Sequence, residues 1–173
     1  MIKESEARYR ELFDNASDCI YTIDLEGNFL TANNSVAKAM KCSSLEEVLA
    51  SNMSKWMTTE SLEKAIKFMH EVITKEDYYD KSVIIEIIRK DGEHVWFEHK
   101  ARPIKDNNKN IIGLHGIGRD ITENVLLKRE LNKSNKQRKL LYYLIKGTRQ
   151  IVSKLTSITP ITPLSPKNQF VNS

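Results

Sequence analysis

A chain of 173 residues with 40% apolar and 29% charged residues has material for one packed domain and a short extension. No apolar run reaches the length of a bilayer span and no secretory leader precedes Ser5, so no membrane association is expected and the expected home is the cytoplasm. The two cysteines, Cys19 and Cys42, belong to neither a disulfide framework nor a zinc site, and no metal is expected; much of the net charge of +4 lies after Lys128, in a Lys/Arg run without the aromatic interleaving of a nucleic-acid surface, so nucleic acid is not an expected partner.

Ser5 to Asn15 predicts a short helix, with Tyr9, Leu12 and Phe13 at helical spacing and Ser5 at its start. Cys19 to Asp24 and Asn28 to Ala32 predict two strands joined by the turn Asp24-Leu25-Glu26-Gly27, with Gly27 expected at positive φ. Asn33-Asn34-Ser35 is a cluster of helix starters ahead of Val36, Ala37 and Met40. Ser43-Ser44-Leu45-Glu46-Glu47 has the form of a capping box. Thr58-Thr59-Glu60 opens a longer helix, whose inward stripe is expected at Leu62, Ile66, Met69 and Ile73.

The period then changes from helical to alternating. Ser82 to Arg89, rich in Ile and Val, predicts a buried strand, and Asp91-Gly92 a hairpin turn. Glu93 to Lys105 predicts the next strand, with Pro103 near its end, where a missing donor is tolerable. Asp106 to Asn110 is a polar loop, and Asn110 to Thr122 the last strand. Gly113, Gly116 and Gly118 stand there where a sheet interior ordinarily holds bulk, which marks a bend or the close approach of another group. The strand ends in Asp120-Ile121-Thr122 and passes at once into a helix predicted over Asn124 to Lys146. Leu127, Leu131, Leu141 and Ile145 form its stripe, interrupted by Ser134 and Arg138, which makes a weak coiled coil at best. The pattern fades after Gly147, and Pro160, Pro163 and Pro166 predict an unstructured tail. The expected divisions are a flanking helix at 1–16, a domain at 17–123, an exit helix at 124–147 and a tail at 148–173. Helices lying between strands in this order predict an α+β fold, an antiparallel sheet with helices on one face.

Several local words agree with one family. Glu6-Ala7-Arg8-Tyr9-Arg10-Glu11-Leu12-Phe13, Ile20-Tyr21-Thr22-Ile23-Asp24-Leu25-Glu26-Gly27, Asn33-Asn34, Arg89-Lys90-Asp91-Gly92, Trp96-Phe97-Glu98, Ala101-Arg102-Pro103-Ile104 and Gly118-Arg119-Asp120-Ile121-Thr122-Glu123 follow in order. Together they resemble a PAS domain of the S-box type over about Ser5 to Glu123. The resemblance implies the PAS fold: a five-stranded antiparallel sheet in mixed order that cups a ligand pocket against the helices, an N-terminal flanking helix and a C-terminal signalling helix. It also implies a homodimeric sensory module of a two-component system, feeding a downstream kinase or regulator domain. The light-sensing LOV branch carries its reactive cysteine in the word Gly-Arg-Asn-Cys. Ala50-Ser51-Asn52-Met53 stands at that place, and Met53 forms no thiol adduct. The flavin-contacting glutamine of that branch falls at Gly118, so a LOV-type flavin is not expected. Heme-binding members use a histidine of the long central helix. His70 lies on that helix but at the edge of the inward stripe, so heme is not expected, and no cofactor is required.

No nucleotide-binding glycine loop, kinase phospho-acceptor box, cyclase or phosphodiesterase signature is present, and the chain reads as non-catalytic. Alternation over Val95 to Ile104 puts Phe97, His99 and Ala101 on one face. The same alternation brings Tyr21, Ile23, Ile85, Leu114 and Gly116 beside Phe97, as candidate pocket lining. An imidazole there needs a partner, since an unpaired buried polar group costs about 1–3 kcal/mol. His99 therefore reads as a core histidine bonded to backbone or water, or as a polar anchor for a small ligand or a pH-responsive group. Trp96, on the opposite face, points to a surface covered by the first helix or by a second copy. The resemblance makes Asp120, Ile121 and Thr122 the signal-coupling residues, with Asp120 pairing with Arg89, Lys100 or Arg102 and capping the helix that follows, and Thr122 as another candidate cap. Three functions fit: a sensory module that binds a small ligand or a partner, a ligand-free dimerisation module, and a DNA-associated regulator in which Arg138 to Ile145 begins a truncated winged-helix output.

Overall fold

The computed structural model describes residues 2–75 and 80–158. It divides into two compact units at Leu126/Leu127. In the first unit, α1 (Ile2–Asn15) precedes the hairpin β1 (Cys19–Ile23) and β2 (Phe29–Ala32). The helices α2 (Asn34–Ala39), α3 (Leu45–Leu49) and α4 (Thr59–Thr74) follow, with a short 3-10 helix at Met53–Trp56. The strands β3 (Val83–Ile88), β4 (His94–Lys105) and β5 (Ile111–Asp120) complete the sheet, and α5 (Thr122–Ile158) leaves it. All pairings are antiparallel and the strand order is β2-β1-β5-β4-β3. The last strand of the chain is thus the middle one of the sheet.

Turn chemistry fixes the registers. Asp24 Oδ1 accepts from the N–H groups of Glu26 and Asn28, and Asp24 Oδ2 accepts from Asn28 Nδ2. Gly27 closes that turn at φ 87°. Asp106 repeats the device on Asn108 and Asn110, with Lys109 at the matching place and φ 68°. On β4, Val95, Phe97, His99 and Ala101 are buried and alternate with more exposed neighbours, as the period of two requires.

Four expectations are corrected. First, the inward face of α4 is Ser61, Ala65, Phe68 and Val72; Leu62, Met69 and Ile73 flank it, and Ile66 is 55% exposed. Small residues face the sheet because α4 lies close to it: Ser61 Oγ accepts from the backbone N–H of Glu86 on β3 at 3.0 Å. Second, Asn33 occupies the cap position of α2 without capping it. Its side chain is fully buried and turns inward, accepting from Ile20 N–H and donating to the carbonyls of Phe13 and Asp18. Third, the capping box does not form: Ser44 makes no side-chain cap bond, and Glu47 accepts instead from the N–H of Ser43, one residue before the cap. Glu47 also pairs with Lys90 at 2.8 Å, tying α3 to the β3–β4 turn. Fourth, α5 runs past Gly147 to Ile158. One glycine costs a helix about 1 kcal/mol, too little to end a long one, and Thr148 Oγ1 bonds back to the carbonyls of Leu144 and Ile145. The tail from Thr159 onward lies outside the described residues. No helix of the described residues is long and apolar enough to cross a membrane.

Candidate functional site

The concave side of the sheet faces α2, α4 and the 3-10 helix across an apolar cavity of about 60 Å³. Tyr21, Ile23, Ile85, Phe97, His99, Leu114 and Gly116 all line it. The sheet register explains how they meet. Gly116 pairs with Tyr21 on one side and Ala101 on the other; Gly118 pairs with Cys19 and His99. A Cβ at Gly116 would overlap the Tyr21 ring, and one at Gly118 would sit 2.8 Å from His99 Cε1. The two glycines therefore let aromatic rings from both neighbouring strands lie down over β5. The rings meet there: Tyr21 Oη and His99 Nδ1 are 2.8 Å apart.

His99 is 9% exposed, and its Nε2 has no hydrogen-bond partner among the described residues. Burial lowers its pKa to about 4, and burial likewise raises that of Tyr21, so both are neutral at pH 7. Burial, with Asp120 and Asp18 adding to it, pushes the Cys19 thiol up to about 12, which leaves it a small apolar wall residue rather than a nucleophile.

The helical wall was not anticipated. Met40, Met53, Met57 and Met69 contribute to it, with Trp56 and Phe68. Four of the chain's five methionines thus converge on one cavity, and their concentration between residues 40 and 69 was the available signal. Trp56 is fixed by donating Nε1–H to Ser51 Oγ at 2.8 Å. His70 is exposed on α4, outside the lining. The cavity is far smaller than the roughly 300–1,000 Å³ of sites for drug-sized ligands, and the His99 ring lies against Gly118, the place of the flavin-contacting glutamine in the LOV branch. Among the described residues no cluster of His, Cys, Asp and Glu is arranged to hold a metal.

The cavity wall runs into the exit. Of the three candidate partners of Asp120, the structure selects Arg89: Asp120 Oδ2 accepts from Arg89 Nη2 at 3.2 Å, and Arg89 Nη1 reaches Glu93 at 2.7 Å. Asp120 Oδ1 accepts from Thr122 N–H, the first residue of α5. Thr122 Oγ1 does not cap α5 but accepts from Trp96 N–H, and Ile121 N–H donates to Trp96 O. The half-buried Trp96 on the outer face thus holds the strand-to-helix junction through its backbone. Asp18 and Arg119 form a second clamp beside it, with both guanidinium contacts within 3.2 Å.

A sequence profile of the family described as PAS fold matches residues 13–126. Among solved structures, a PAS domain from Colwellia psychrerythraea is 27% identical, with a TM-score of 0.58 over 71% of this chain and 99% of that one. A domain of a sensory box sensor histidine kinase/response regulator from Geobacter sulfurreducens is 21% identical, with a TM-score of 0.54 and coverage of 69% and 97%. A PAS domain of an HTR-like protein from Haloarcula marismortui is 19% identical, with a TM-score of 0.57 and coverage of 69% and 94%. The last two likenesses concern the fold alone. No curated protein matches.

Proposed function

This chain belongs to the PAS family, and from that membership we propose that it is a non-catalytic cytoplasmic sensory module that takes a small molecule into its cavity and relays occupancy through α5 to a kinase or regulator domain. The observation that carries the reading is the hollow between sheet and helices, bounded by a central strand that ends in the Asp120–Thr122 junction. β5 lines the cavity at Leu114 and Gly116 and is hydrogen-bonded to α5 four residues later. A shift of either ring that rests on β5 therefore acts on the strand that positions the helix start. A preference of about 1.4 kcal/mol between two arrangements of the junction changes their populations tenfold. Neither heme nor flavin forms part of the proposal.

The partner we propose for α5 is a second copy of this chain. Leu127, Leu131, Leu141, Ile145, Val152 and Leu155 are spaced in steps of three, four and their sums, and all are exposed. That period, close to 3.5, fits a left-handed coiled coil in which Ser134, Arg138 and Thr148 are the polar interruptions. The segment Arg138 to Ile145 lies inside this unbroken helix.

The test is small-molecule mass spectrometry on material released by denaturing the purified full chain, for the native sequence and for Ala101→Leu, which fills the cavity from β4. A compound released by the first and absent from the second is the expected result. No released compound, together with no thermal shift from a fragment library, contradicts the reading.

A further inference from the structure

We propose that the cavity selects a small uncharged molecule with an apolar body and one hydrogen-bond acceptor, received by the Nε2–H of His99. The proposal rests on the cavity reading above and adds the chemistry of the ligand.

The assignment follows from counting protons around one pair of rings. Tyr21 Oη and His99 Nδ1 lie 2.8 Å apart, and neither has another hydrogen bond among the described residues. If Nδ1 carried the imidazole proton, it would donate to Oη. The phenol proton would then lack an acceptor and the Nε2 lone pair a donor, leaving two unmatched groups in an apolar interior. If instead the phenol donates to Nδ1, only Nε2–H is left over. One unmatched buried group is less costly than two, so Nε2 carries the proton. That atom is shielded from solvent on a residue that lines the cavity. Burial keeps the imidazole neutral and the phenol protonated at neutral pH, consistent with this single arrangement.

The remaining lining decides the rest of the ligand. Among the described residues no Lys, Arg, Asp or Glu side chain lines the cavity, so a charged guest would lose its hydration with no counter-ion from them to replace it. The cavity volume, about 60 Å³, is less than half of the roughly 150 Å³ that admits benzene to an engineered apolar cavity. The four wall methionines are flexible and can repack around a guest of that size. Carbonyl compounds and neutral nitrogen heterocycles with a short apolar body meet every condition; carboxylates, amines and pure donors do not.

Three ring probes of similar shape test this at pH 7.5: pyridine, an acceptor; benzene, with neither function; and pyrrole, a donor. Two readouts are taken on the full chain. In ¹⁵N-histidine-labelled protein, His99 is expected as the Nε2–H tautomer, with Nε2 moving on addition of pyridine and not of pyrrole. In chemical-shift titrations, the preference for pyridine over benzene is expected to fall about tenfold from wild type to His99→Leu, a ratio from which the probes' different hydration cancels. An Nδ1–H tautomer overturns the proposal without recourse to any variant. Equal loss of both probes in His99→Leu, or binding of pyrrole in preference to pyridine, overturns the acceptor assignment and leaves the cavity reading standing. Silence from all three probes overturns both.

Discussion

Replacing Gly113 by alanine is expected to destabilise the folded unit by about 3 kcal/mol, a fall in Tm of roughly 10 °C. At this position a Cβ would overlap the carbonyl oxygen of Ile23 on the neighbouring strand, with Asp24 Cα also in contact. Backbone atoms cannot swing aside as a side chain can. The overlap is relieved only by separating β1 from β5 where β1 already carries a bulge between Thr22 and Ile23. Gly147→Ala provides the contrast: a Cβ there meets nothing within 4 Å, and α5 is expected to gain stability by about 0.5–1 kcal/mol. Urea denaturation of the two variants separates the effects. A loss below about 1 kcal/mol for Gly113→Ala contradicts the close approach of these strands.

The second large effect is on pH dependence. An unfolded imidazole takes up a proton as pH falls below its ordinary 6.5, whereas the buried His99 does so only near 4. Between those values the unfolded state binds more protons, so stability is full above pH 6.5 and declines as pH falls toward 4. The expected loss attributable to His99 is about 3 kcal/mol across that window. Carboxylates held low by hydrogen bonds, such as Asp24 and Asp106, add losses of the same sign at lower pH. Comparing denaturation midpoints of wild type and His99→Leu from pH 7 to pH 4 isolates the histidine. The variant is expected to show a profile flatter by about 3 kcal/mol; parallel profiles contradict a neutral, desolvated His99.

The contrast between strands and helices shows what was legible in the sequence. A strand has only two faces, so one apolar marker such as Phe97 placed His99 and Ala101 beside it correctly. A helix offers a continuum of faces, and on α4 the bulky residues Ile66 and Met69 drew the stripe away from Ser61 and Ala65. Small residues mark the side that comes closest to a sheet, which a count of large apolar residues overlooks. The same limitation hid the methionine wall, since Met53 was weighed only for the cysteine it is not. The three glycines of β5 were visible as an anomaly. What approaches Gly116 and Gly118 was not, because Tyr21 and His99 meet only when β5 lies between β1 and β4, and that order is a property of the sheet and not of any local period. Asn33 was misread for a related reason: its cap position is local, while its three partners, Phe13, Asp18 and Ile20, are set by tertiary packing.

Xenon-pressure NMR on the full chain bears most directly on whether a hollow interior communicates with the exit helix. Xenon enters small dry cavities and needs no polar partner. The expected result is a set of saturable shifts at the methyl groups of Ile23, Ile85 and Leu114 together with shifts at the amides of Ile121 to Val125, while the exposed loop from Asp106 to Asn110 stays unchanged. Absence of saturable shifts inside the sheet, or shifts there with none at Ile121 to Val125, contradicts it.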